Sequence, residues 1–177
     1  MFPDELAGDG LRLRSLELLD LEPLFAYLSR PEVYEPTSAD PWTRDAVLQF
    51  ITSNRDGMAQ GRFCRYAILE GHAARAVGDI GFGSIDEAHR RLEIGYHLSP
   101  EAWGQGLTTR AARLLIDWAF RTGFNRIEAT VMQGNARSER VLQRLGFTRE
   151  ATLRQYKLVR GQFRDFSLWS LLNSDVA

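Results

Sequence analysis

The chain has 177 residues, 44% apolar and 25% charged, with 22 basic against 23 acidic side chains. That length suits one domain with its own core and excludes wholesale disorder, while the net charge of −1 leaves no overall field to draw nucleic acid or an anionic membrane. Cys64 is the lone cysteine, which excludes an intrachain disulfide, and no apolar run approaches the ~20 residues that a membrane helix needs.

Residues 1–10 read as a lead-in to a domain spanning 11–172, with a short tail at 173–177. The acidic start Met1-Phe2-Pro3-Asp4-Glu5 lacks the basic region and apolar stretch of a secretory signal, so the expected address is the cytoplasm. Leu11-Arg12-Leu13-Arg14 alternates and predicts a first strand. Apolar residues at helical spacing over 18–29 predict a helix that stops before Pro31. Pro31, Pro36 and Pro41 mark a loop, and Thr43 is the expected N-cap of a helix running through Met58.

The period then changes. Residues 63–70 and 74–85 read as two strands joined about Gly71-His72, and Cys64, inside the apolar run at 63–68, reads as a packed thiol. The clearest strand is 91–98, with Leu92, Ile94, Tyr96 and Leu98 on one face and Glu93, Gly95 and His97 on the other. A long helix from Gly106 to Gly123 carries an apolar stripe of Leu107, Ala111, Leu114, Leu115 and Trp118. A strand at 126–131 follows, then a helix at 135–145 capped by Asn135 and closed by Gly146. Residues 147–172 supply two antiparallel strands turning near Arg160-Gly161. The order βααβββαβαββ makes a mixed α/β sheet, parallel only where the helix joins strands 91–98 and 126–131.

The segment Trp103-Gly104-Gln105-Gly106-Leu107-Thr108-Thr109 holds the first chemical signal. It joins a strand to a helix through two glycines. Its backbone N–H groups lack intrahelical partners and sit at the positive end of the helix dipole, which suits an anion. A Walker loop is excluded because no Gly-Lys-Ser/Thr follows, and a dinucleotide fingerprint because Thr109 stands where a third small residue belongs. Gly81-Phe82-Gly83 fails in the same way. No His, Cys or carboxylate set has metal-ligand spacing. Arg137, Arg140 and Arg144 cluster late in the chain, where a solvated helix face is the ordinary reading.

Glu93-Ile94-Gly95-Tyr96, the run from Pro100 through Thr109, Asn135-Ala136-Arg137-Ser138 and Val141-Leu142-Gln143-Arg144-Leu145-Gly146-Phe147 together resemble the GNAT superfamily. They are most similar to its ribosomal-protein N-terminal (alanine/serine) acetyltransferase-like branch. Three positions depart from common family residues: Glu101, Arg110, and Leu142 where many members carry Tyr. The resemblance implies the GNAT acyl-CoA N-acyltransferase fold with two splayed parallel central strands. It also implies acetyl-CoA as cosubstrate, no metal, and direct attack by a primary amine, a protein N-terminus or a small molecule. By the same analogy the pantetheine arm bonds near His97 and Leu98 and passes Asn135 and Ser138. The pyrophosphate rests on Trp103, Gly104, Gln105, Gly106, Leu107, Thr108 and Thr109.

Glu93 and His97 are both candidate bases for the incoming ammonium, and the spacing does not choose between them. Ser138 is the candidate proton donor to the departing thiolate, since it shares the buried face of Val141, Leu142 and Leu145. The resemblance also implies an acceptor groove between residues 28–42 and 156–163, for which Tyr34, Trp42, Tyr156 and Phe163 are candidates. The resemblance admits a homodimer, and it gives no nucleic-acid or membrane partner. A non-catalytic acyl-CoA-binding sensor of the same fold is the alternative reading.

Overall fold

The computed structural model describes residues 2–176. The elements run β1 (Glu5–Gly8), β2 (Leu11–Ser15), α1 (Leu21–Leu28), α2 (Pro31–Tyr34), α3 (Arg44–Ala59), β3 (Cys64–Glu70) and β4 (Gly78–Asp86). Then follow β5 (Arg91–Leu98), α4 (Leu107–Arg121), β6 (Arg126–Met132), α5 (Ala136–Arg144), β7 (Thr148–Val159) and β8 (Gln162–Leu172). Among the described residues the eight strands form one mixed sheet in the order β1-β2-β3-β4-β5-β6-β8-β7.

Two elements were not expected. Residues 5–8, inside the stretch read as a lead-in, pair with β2 through Asp9 and Gly10, whose φ of 50° and 73° make a tight hairpin turn. Pro31, read as a loop marker, instead occupies the first turn of α2, where its missing N–H costs nothing. The expected caps are present: the Thr43 side chain accepts from the Ala46 amide at 3.2 Å, and Asn135 accepts from the Ser138 amide at 3.1 Å.

The sheet is covered on both faces. One core gathers β-strand side chains such as Leu13, Tyr66, Phe82 and Ile127 against Leu107, Ala111, Leu115 and Ala119 of α4 and Leu142 of α5. A second, on the opposite face, packs Leu24, Tyr27, Leu28, Tyr34, Val47 and Ile51 of α1–α3 against Ala67 and Leu69. Each fully buried Leu or Ile here contributes about 1.5–3 kcal/mol. Asn54 ties α3 to β3, accepting from the Arg65 amide at 2.8 Å and donating to its carbonyl at 2.9 Å. Gly81 owes its identity to close strand packing, because a Cβ there would lie 1.9 Å from the Cys64 carbonyl oxygen.

The feature that positions the site is a break in the sheet. β5 and β6 are parallel neighbours, joined by α4, yet they pair only at Arg91↔Arg126, Leu92↔Ile127 and Glu93↔Glu128. Beyond that point β5 continues against β4 as far as Gly78↔Leu98, and β6 continues against β8 as far as Met132↔Phe166. Each strand keeps its outer partner and loses its inner one, so a V opens between residues 94–98 and 129–132.

Candidate active site

A cleft of about 250 Å³ lies where the two strands have parted. Tyr96, His97 and Leu98 of β5 line one wall, Asn135 and Ser138 at the start of α5 another, and Trp103, Gly104 and Gly106–109 its floor. Val33, Pro36 and Thr37 close it from the α2 side.

The glycine turn has the geometry of an anion cradle. Gly104 and Gly106 hold φ of 79° and 72°, a region costly for residues with a Cβ, and the space where each Cβ would stand is open. The first helical bond of α4 runs from the Arg110 amide to the Gly106 carbonyl at 3.1 Å, so the amides of Leu107, Thr108 and Thr109 precede the ladder. The Thr109 hydroxyl is buried on the same helix end and has no hydrogen-bond partner among the described residues. A buried unpartnered hydroxyl beside free amides fits a ligand rich in acceptor oxygens. Gln105 is not among the lining residues, and its side-chain amide donates to the Glu101 carbonyl at 3.1 Å. Glu101 is tied to Ser99 and Arg30, which hold its carboxyl at about 2 and fasten the turn to the end of α1.

The arginines of α5 are not simply a solvated face. Arg137, Arg140 and Arg144 all line the cleft, and none forms an ion pair among the described residues. Arg137 stacks over the Trp103 ring, whose indole nitrogen donates to the Leu98 carbonyl at 3.0 Å. With His97 these are the basic side chains of the lining, and no carboxylate is among the described lining residues.

The two candidate bases differ in placement. His97 lines the cleft; Glu93 does not. Glu93 sits at the last position where β5 pairs with β6 and accepts from the Thr130 hydroxyl at 2.9 Å. Ser138 lines the cleft, half-buried, and its carbonyl accepts from the Tyr96 hydroxyl at 3.4 Å. Burial pushes the Tyr96 phenol up to about 12, against the opposing bond to Ser138, so at neutral pH it keeps its proton.

Behind His97 lies Asp79, which sequence reasoning missed. The signal was a carboxylate inside the apolar run Val77-Gly78-Asp79-Ile80, whose neighbours give no hint of its partner. It is fully buried and faces His97 Nδ1 at 3.1 Å, accepts from the Tyr27 hydroxyl at 2.9 Å and lies 3.6 Å from the Arg65 guanidinium. Burial raises its pKa, but His97, Arg65 and Tyr27 together outweigh that and hold the carboxyl below its ordinary value.

Of the four aromatic residues expected near an acceptor, Tyr34 and Trp42 pack 5.8 Å and 6.1 Å from the His97 ring. Tyr156 and Phe163 stand exposed on the β7–β8 hairpin, outside the cleft lining. The hairpin tip still reaches the α2 region. Arg160 donates to the carbonyls of Tyr34 and Ala39 at 3.0 and 2.7 Å and pairs with Asp40 at 3.2 Å. Cys64 is buried away from the cleft, and burial pushes its thiol up to about 12. Among the described residues no helix is long and apolar enough to cross a membrane.

The sequence profile of the acetyltransferase (GNAT) domain matches residues 10–148. The chain is 34% identical over 176 residues to an uncharacterized N-acetyltransferase, p20, of Bacillus licheniformis, covering 98% of this chain and 99% of that one. It is 34% identical over 118 residues to a putative ribosomal N-acetyltransferase, YdaF, of Bacillus subtilis strain 168, covering 63% and 64%. Among solved structures, a ribosomal L7/L12 α-N-protein acetyltransferase in complex with coenzyme A superposes with a TM-score of 0.86 at 20% identity, covering 95% of this chain and 97% of that one.

Proposed function

The chain belongs to the acetyltransferase (GNAT) domain family, and from that membership we propose an enzyme that carries the acetyl group of acetyl-CoA to the α-amine of a polypeptide N-terminus. It is an acetyl-CoA-dependent N-acetyltransferase; the finer choice of acceptor and the residue roles are our reading. The observation that carries it is the glycine cradle, with its free amides and the orphaned Thr109 hydroxyl, opening onto the same cleft as His97.

In this reading the diphosphate of acetyl-CoA rests on the turn from Trp103 to Thr109, and the pantetheine arm follows β5 past His97 and Leu98 toward Asn135 and Ser138. The arginines of α5 suit the remaining phosphate charge, since guanidinium groups pair with phosphate oxygens in bidentate fashion. A thioester is already activated toward an amine, so the protein must orient it, remove a proton from the ammonium and return one to the thiolate. Backbone N–H groups on the inner edge of β5, freed where β6 departs, are the donors at hand for the oxyanion. His97 suits the base better than Glu93 because it lines the cleft, and Ser138 or the protonated Tyr96 suits the thiol.

A protein acceptor is supported by the similarity to the ribosomal N-acetyltransferase relative. Acetyl-CoA as cosubstrate suits a cytoplasmic enzyme. The test is amine-dependent release of CoA thiol from acetyl-CoA across alanine- and serine-initiated peptides, free amino acids and spermidine. Turnover with the peptides supports the reading. Turnover with spermidine alone would overturn the acceptor class, and CoA binding without release under any amine would favour the acyl-CoA sensor.

A further inference from the structure

The cluster behind His97 draws on four elements for one side chain. Asp79 and His97 are direct cross-strand partners on β4 and β5, Tyr27 comes from α1 and Arg65 from β3. A carboxylate this deep in a central strand is costly unless every lone pair is engaged. Here the phenol of Tyr27, the ring nitrogen of His97 and the guanidinium of Arg65 engage it. Arg65 is held in turn by donating to the Gly95 carbonyl at 2.7 Å. An ionised carboxylate only accepts, so the ring nitrogen facing it must carry a hydrogen. Tyr34 completes the surroundings, its buried hydroxyl without a partner among the described residues and its ring against His97. Trp42 adds an uncharged edge-type contact to the imidazole.

We infer that Asp79 is a positioning residue for acetyl transfer, holding His97 with Nδ1 protonated and leaving Nε2 free to take the proton of the incoming ammonium. The inference rests on the acetyl-transfer reading given above. The ammonium passes one proton to Nε2, and the neutral amine then forms a C–N bond to the thioester carbonyl carbon. The C–S bond breaks with its electron pair going to sulfur, and the surplus proton on nitrogen passes to the thiolate. The products are an amide and free CoA, and the imidazolium returns its proton to solvent. Throughout, Asp79 stays ionised and stabilises the imidazolium.

The test uses the full chain and the acceptor that gives turnover. Asp79→Asn is expected to lower kcat by ~10²-fold or more, to leave the KM for acetyl-CoA within about threefold, and to move the acid limb of the kcat/KM profile to lower pH, since the anion that favours the imidazolium is gone. A wild-type profile and kcat in this variant would overturn the proposal. Because the variant can misfold, the second measurement is made on the wild-type protein: long-range proton–nitrogen NMR of the histidine rings, with His97→Gln assigning the signal. A proton on Nδ1 with Nε2 bare is expected at pH above the acid limb; a proton on Nε2 would overturn the assignment. A wild-type enzyme without turnover on any amine would instead sink the acetyl-transfer reading itself, which a normal tautomer would not rescue.

Discussion

The guanidinium carbon of Arg137 stands 3.7 Å from the centre of the Trp103 ring, so the first turn of α5 is braced against the loop that precedes α4. Such a stack orients the guanidinium while leaving its N–H edges for phosphate. Trp103→Ala and Arg140→Ala are each expected to weaken CoA binding about threefold to tenfold, equivalent to ~0.6–1.4 kcal/mol. Arg140→Ala should also flatten the salt dependence of the binding constant measured by calorimetry. Identical salt slopes for variant and wild type would remove the α5 arginines from the cofactor site.

Gly104 and Gly123 have φ of 79° and 97°, and at both the space that a Cβ would occupy has no neighbouring atom within 4 Å. Replacing either with Ala should therefore destabilise the fold by a similar ~1 kcal/mol, read from denaturant midpoints. Gly104→Ala alone should also lose CoA affinity, because its methyl group would project over the cradle. Equal CoA affinity in the two variants would separate the turn from the cofactor.

Arg160 fastens the hairpin tip to the segment from Tyr34 to Asp40, part of which roofs the cleft. Arg160→Ala should speed hydrogen exchange at Thr37 and Ala39 and raise the KM for the amine several-fold, with the acetyl-CoA constant changed less than about twofold. Equal increases in both constants would place the latch on the cofactor side instead.

Asp79 has a folded-state pKa held below its ordinary value. Its stabilising contribution is thus complete above the unfolded-state value and is lost as pH falls through the folded-state value, below about pH 4. Asp79→Asn should cost about 3–5 kcal/mol at neutral pH, the usual penalty for breaking one side of a buried pair. The variant's melting temperature should fall less steeply than the wild type's in acid. Parallel melting curves across pH 2–7 would mean that the carboxylate is not linked to folding.

The Cys64 thiol, buried and pushed up to about 12, should not react with a disulfide reagent in the native protein at pH 8. One equivalent should appear on unfolding in denaturant. Fast native reaction would contradict the burial of β3, and it would also add a background to any assay of released CoA.

Local signals carried much of this architecture. The stripe on α4, the caps at Thr43 and Asn135, the two faces of β5 and the glycine turn all depend on residues within a few positions of one another. β1 escaped notice because Glu5-Leu6-Ala7-Gly8 holds one strongly apolar residue, and the Asp9-Gly10 turn gains meaning only once β2 has a partner on its far side. Asp79 escaped for a different reason. Its contacts to His97 and Tyr27 span 18 and 52 residues and exist only after β4, β5 and α1 have docked. The α5 arginines were visible as a cluster, yet their facing the cleft depends on where β6 ends. For the same reason spacing alone left Glu93 and His97 level, although the stretch of strand between them separates the closed part of the sheet from the open part.

The break between β5 and β6 also divides the molecule mechanically. Five strands lie on one side and three on the other, joined within the sheet by three register pairs that end at Glu93 and Glu128. Those pairs form a natural hinge, with α4 and α5 as struts across it. A ligand gripping both flanks replaces the missing ladder, so the two half-sheets should breathe least when the gap between them is filled.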